Sequence, residues 1–238
     1  MSFRNLSVRT FLLFSLFLAG PAFAEIMIPP AGLNVGAQYR LFFMTSGERD
    51  GTSANIEDYN AFVQSHVESS PQLAALDLEW NAVLSTETVD ARDNTGTNPE
   101  VDGEGVPIYM VSGERVARNY VGLWDFEFGP KMNVDEFGNF TPFDDDADSV
   151  GGIGVVVWTG TMIGGVAATG FTLGSTEPVV GEAVGGGVIG FGTGSDDANE
   201  LHHVYGMSGV ITVPEPLLHF CWLLFVPLCL RRTFKNRT

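Results

Sequence analysis

Apolar and polar residues recur along this chain with periods that mark its elements. Gln38–Thr45 (QYRLFFMT) is a run of β-prone aromatic and aliphatic residues closed by Ser46-Gly47, and it predicts a first strand. Ile56, Tyr59, Val63 and Val67 then recur at spacings of three, four and four, one face of a helix, with Thr52 or Ser53 placed to cap it. Ser69-Ser70-Pro71 ends that helix, and Pro71 suits the first turn of a second, short one over Pro71–Asp77. His66 falls near the inner face of the first helix and reads as a hydrogen-bonded boundary residue. Leu78–Thr86 (LEWNAVLST) predicts a strand that offers Trp80 and Val83 to the core. Thr88–Gly105 is polar loop, Val106–Val111 a strand, and Ser112-Gly113 a turn after it. Val116–Phe128 fits neither period. Thr141–Ser149 reads as acidic loop, Val155–Thr161 as a buried strand, Asp196–His203 as polar loop and Gly209–Val213 as a last strand.

Both ends of the chain break this pattern. Arg4 and Arg9 precede the apolar core Phe11–Ala19, Gly20-Pro21 interrupts it, and Ala22-Phe23-Ala24 follows as a small-x-small cleavage site. That order predicts a secretory signal peptide, with a mature chain starting at Glu25. At the other end Val213-Pro214-Glu215-Pro216 precedes the apolar run Leu217–Leu230 and then Arg231-Arg232. Proline restricts its own φ and pushes the preceding residue toward extended backbone, so Pro214-Glu215-Pro216 predicts a stiff, exposed tripeptide. Fourteen helical residues rise about 21 Å, short of the ~20 residues a full span takes. Arg231, Arg232, Lys235 and Arg237 place that end on the cytoplasmic side.

This tail resembles the sorting signal of PEP-CTERM proteins, exported proteins of Gram-negative bacteria. The residues that carry the resemblance are Val213, Pro214, Glu215 and Pro216, the apolar run and the basic end. It implies recognition by a membrane protease, an exosortase, that removes the tail. It implies delivery to the cell surface or an extracellular polysaccharide matrix. The expected organisation is a signal peptide over 1–24, an exported domain over 25–212 and a sorting signal over 213–238.

Composition changes the picture of the body. All 29 acidic residues fall within 25–216 against six basic ones, a formal charge of −23 for a segment that suits one domain. Such a surface repels nucleic acid and anionic lipid and attracts divalent cations. Both cysteines, Cys221 and Cys229, lie in the tail, so the exported body has no disulfide, thiol nucleophile or cysteine-bound metal. From Gly151 to Gly194, 15 of 44 residues are glycine, which predicts tight turns and loops lying close against a sheet.

Three stretches resemble secreted bacterial domains of the C-type-lectin-like kind. They are Ala82–Arg92, Val106–Asp125 with Asn133–Gly138, and Val157–Thr161. The resemblance implies two helices flanking small, irregular sheets, with long loops forming a ligand surface. The fold expected is therefore α+β, a β-rich single domain with one or two helices near its N-terminus, plus a C-terminal membrane helix. Glu177-Pro178 is followed by Val179, and no Trp-Asn-Asp occurs, so the calcium-and-sugar signature of such domains is missing.

Candidate chemistry is sparse. Asp144, Asp146 and Asp148 fall at positions 1, 3 and 5 of a calcium-type loop, but position 6 is Ser149 and position 12 is Val155, so this is no EF-hand. The loop reads as a solvated acidic segment or a looser calcium site. Asp196, Asp197, Glu200, His202 and His203 form a second polar cluster; adjacent residues point to opposite faces of a strand, which separates the two histidines. No nucleophile elbow or phosphate loop is present. Trp80, Trp124 and Trp158 read as core residues, or else as exposed platforms for sugar rings. The expectation is a non-enzymatic surface or matrix protein with polysaccharide or envelope partners. A secreted acidic polysaccharide hydrolase is the alternative.

Overall fold

A computed structural model describes residues 28–125, 129–141, 155–183 and 191–215. Strand β1 (Gln38–Met44) runs through the middle, and Leu41, Phe42, Phe43 and Met44 are fully buried. A helix α1 (Ile56–Ser69) follows. Its N-cap is Asn55, whose side chain accepts from the Glu57 N–H, and not Thr52 or Ser53. Those two hydroxyls are used elsewhere, Thr52 Oγ on Asp50 and Ser53 Oγ on Asp58. Tyr59, Asn60, Val63 and Val67 form the buried face. Pro71 begins α2 (Pro71–Ala74), a single turn.

The strand expected over Leu78–Thr86 is shorter, β2 (Trp80–Ala82). The loop expected over 88–105 contains two helical turns, α3 (Ala91–Asn94) and α4 (Pro99–Asp102). Pro99 sits at the start of α4, and the Asn98 side chain accepts from the Glu100 N–H, which accounts for that turn. β3 (Ile108–Met110) and β4 (Arg115–Ala117) make a hairpin, and α5 (Tyr120–Trp124) resolves the ambiguous stretch into strand, then helix. β5 (Val156–Trp158), a small β6–β7 hairpin (Thr161–Met162, Val166–Ala167), β8 (Val179–Glu182) and β9 (Gly194–Ser195) come from the glycine-rich stretch. β10 (His203–Ser208) and β11 (Ile211–Thr212) close the body.

The main sheet runs β4-β3-β1-β10-β5-β8-β9, with β11 added to the start of β1 and β2 to the end of β10. β10 pairs antiparallel with β1, Phe43 opposite Gly206, so the last long strand lies beside the first. The domain is β-rich, with five short or medium helices among the described residues. One core cluster joins α1, the sheet and the loops over it. Trp80, Trp124 and Trp158 all belong to it, at 1%, 2% and 0% exposure, so none is a surface platform.

Arg40 is the buried cation of this core. Its guanidinium donates to Tyr120 Oη, to the Thr95 and Ser208 carbonyls and to the Gly96 carbonyl, at 2.6 to 3.1 Å. It therefore ties the α3 loop to β10 through neutral acceptors alone. Among the described residues no helix is long and apolar enough to cross a membrane. The expected membrane segment Leu217–Leu230 lies outside the described residues.

Candidate functional site

The two ends of β1 have different surroundings. At its start, the Gly36 N–H donates to the Val213 carbonyl and the Val213 N–H to the Ala37 carbonyl, so the chain enters and leaves the body side by side. Val213 is thus anchored in the fold, while Pro214 and Glu215 are exposed. The far end is seven residues away, about 20 Å at the usual rise per strand residue. Polar groups from four segments meet there.

The segment Asn133–Asn139 brings an acid to that end. Asp135 staples its own turn, its carboxylate accepting from the Phe137 N–H at 2.9 Å, the Asn139 N–H at 2.8 Å and Asn139 Nδ2 at 3.1 Å. The Met44 N–H donates to the Val134 carbonyl, which docks the turn on the end of β1. Glu136 is consequently held inward at 1% exposure, and it accepts from the Ser46 N–H at 2.8 Å and from the Ser46 hydroxyl. His203, first residue of β10, sets Nδ1 2.7 Å from the Thr45 carbonyl and Nε2 3.4 Å from Glu48. His66 arrives from α1, its ring 4.6 Å from that of Phe62 and its Nε2 buried with no hydrogen-bond partner. Burial pushes its pKa down; the Glu136 charge opposes this and His203 adds to it. His66 is thus half-buried with one nitrogen unsatisfied, where a hydrogen-bonded residue was expected.

His202 turns the other way, as strand alternation requires. Its Nε2 lies 2.9 Å from Asp196, and its ring packs 4.5 Å from the buried Trp158. Trp158 Nε1 donates to the Arg49 carbonyl. Arg49 and His202 also exchange backbone hydrogen bonds, the Gly51 N–H donates to Ala198, and the Gly174 N–H to Gly51. Three loops, 47–54, 167–176 and 196–202, are therefore stitched into one surface. A recess of about 250 Å³ opens between Ala54, Glu87 and the loop from Ala167 to Ser175.

Asp197 uses its carboxylate on Asn199, whose backbone and side-chain N–H groups lower its pKa. Glu200 is a surface residue of the same loop. Among the described residues no group of three His, Cys, Asp or Glu side chains is placed to hold a metal ion. Asp144, Asp146 and Asp148 lie outside the described residues, as do Ala22, Ala24, Glu25, Pro216, Arg231 and Arg232. Sequence reasoning missed Glu136. Its signal was local: an Asp-x-x-Gly-Asn turn, Asp135 to Asn139, built to fix the residue after its first carboxylate. No protein-family model matches the chain, and comparison with curated proteins returns no match.

Proposed function

We propose that this is an exported, cell-surface or matrix protein of the PEP-CTERM kind. Its signal peptide directs secretion, and its Val213–Pro216 motif, apolar segment and basic end direct sorting by an exosortase-type protease. The observation that carries this reading is the exit of the chain. Val213 is anchored by backbone hydrogen bonds to Gly36 and Ala37, and Pro214 and Glu215 directly after it are exposed. A protease that reads the motif meets Pro214 and Glu215 in solvent.

The body is a non-catalytic binding or structural domain, lectin-like in architecture. Adjacent first and last strands, a helix after β1 and long stitched loops at the far end of the sheet support that reading. Val213 sits at the start of β1, and the stitched loops lie at its far end. The rival hydrolase needs two carboxylates facing each other about 5–10 Å apart. Among the described residues the two most buried acids, Asp135 and Glu136, are each used by nearby backbone, amide or hydroxyl groups, which favours the binding reading. Calcium is the ion we assign to the Asp144–Asp148 loop.

The test of sorting is a chain carrying Pro214→Ala and Pro216→Ala, followed by cell fractionation. The variant should accumulate in the inner membrane while the parent reaches the surface. Equal surface delivery of both would reject the motif's role.

A further inference from the structure

The polar end of β1 holds a histidine with no place for a second proton. Thr45 still donates to the Val204 carbonyl, and Arg49 bridges His202, but residues 46–48 between them belong to no strand pair. Contacts with side chains hold that stretch instead. His66 on α1 lies against it: a Cβ built on Gly47 would be 2.9 Å from both Cε1 and Nε2 of the ring. The Phe62 ring packs on His66 as well, with centroids 4.6 Å apart. The buried Nε2 has no hydrogen-bond partner among the described residues, so a proton there would meet no acceptor. The oxygens of this end are already in use. The Gly47 carbonyl accepts from the Thr45 hydroxyl at 2.8 Å, and Glu136 accepts from the Ser46 N–H and hydroxyl. His203 crowds the same end from β10. Its Nδ1 lies 2.7 Å from the Thr45 carbonyl and its Nε2 3.4 Å from Glu48, two oxygens that suit a ring protonated on both nitrogens.

We infer that this end of the sheet is an acid-operated latch: a proton on His66 drives its ring away from Gly47 and frees residues 46–48 from the turn Asn133–Asn139, while the β1–β10 ladder stays closed. The ionisable groups around the ring come from three elements. They are Glu136 from the turn, His203 from β10 and Glu48, beside His203, from the loop after β1. The Glu136 charge favours an imidazolium, but its carboxylate is held by Ser46, and His203 opposes the charge. Burial is the largest influence, and the closed form keeps the His66 pKa below its ordinary 6.5. Opening returns the ring to water and to that ordinary value. The open form therefore takes up the proton first as pH falls, so closure is complete above about pH 6.5 and weakens below it. The ladder has no such dependence, since backbone hydrogen bonds hold Phe42, Phe43 and Met44 to β10.

The experiment is hydrogen exchange of the full chain in detergent between about pH 7.5 and 5, read by mass spectrometry and corrected for the intrinsic pH dependence of exchange. Peptides over 45–49 and 133–140 should lose protection below pH 6.5, by up to about tenfold per pH unit, while peptides over 39–43 and 204–208 keep theirs. His66→Gln should abolish that pH dependence. His203→Gln removes the opposing charge and leaves the His66 ring, so its loss of protection should level off at a higher pH than in the parent. Constant protection of 45–49 across the range in the parent would overturn the latch. So would an undiminished pH dependence in His66→Gln, or an equal loss of protection across the whole sheet. None of these results bears on export, which is read separately by fractionation.

Discussion

Replacing Gly206 by alanine puts a methyl group where the central strand has no room for one. A Cβ built there lies 2.7 Å from Val63 Cγ1 and 2.8 Å from two ring carbons of Phe43. Ordinary carbon contacts sit at about 3.5–4.0 Å, so roughly 1 Å must be found between β10 and α1. Neither neighbour can swing away easily. Val63 and Phe43 are both fully buried, and the Phe43 ring packs 5.3 Å from that of Trp80. Overpacking of this kind costs about 1–3 kcal/mol. Alanine also narrows the unfolded ensemble, which returns about 0.4–1 kcal/mol. The net expectation is a loss of about 1–2 kcal/mol, or roughly 2–8 °C in Tm for a domain of this size. Urea unfolding followed by tryptophan fluorescence reads this as a lower midpoint at unchanged slope. Val63→Ala in the same chain removes the clashing methyl, so the double variant should lose less than the sum of the singles. Gly209→Ala is the control, since its nearest neighbour is 3.8 Å away. A Gly206→Ala chain as stable as the parent would refute the packing of α1 on the β10–β1 pair.

Three further outcomes can be measured. Burial lowers the His66 pKa below its ordinary 6.5, so the unfolded chain takes up this proton first as pH falls. Stability should therefore drop below about pH 6.5, and His66→Gln should flatten that slope in unfolding curves across the range. Arg40→Met leaves three carbonyls and Tyr120 Oη without their donor and should cost about 2–4 kcal/mol, with Arg40→Lys intermediate because an ammonium cannot reach all four acceptors. Millimolar calcium should raise the melting temperature of the parent, and an Asp144→Asn/Asp146→Asn/Asp148→Asn chain should lose that rise; a parent whose melting ignores calcium removes the ion.

The elements that were legible from sequence are those whose pattern is local. Tyr59, Val63 and Val67 recur at helical spacing, and Gln38–Met44 is an unbroken β-prone run, so α1 and β1 were readable within a residue or two at most ends. The strand at the centre of the sheet was not. β10 reads His-Val-Tyr-Gly-Met-Ser, and His203, Gly206 and Ser208 break any apolar run. Each interruption has a tertiary cause. His203 caps the strand at the polar end, Gly206 yields to Val63 and Phe43, and the Ser208 hydroxyl accepts from the Leu41 N–H. The separation of His202 from His203 followed from strand alternation alone. Their partners, together with Glu136 and the unsatisfied His66, depend on contacts as much as 158 residues apart, which no spacing rule reaches.

The most direct test of the account is intact mass spectrometry of the chain recovered from the cell surface. A mature polypeptide that begins at Glu25 and lacks Leu217–Thr238 is the predicted result. Recovery of the polypeptide from the cytoplasm, with residues 1–24 and 217–238 both still attached, would contradict it.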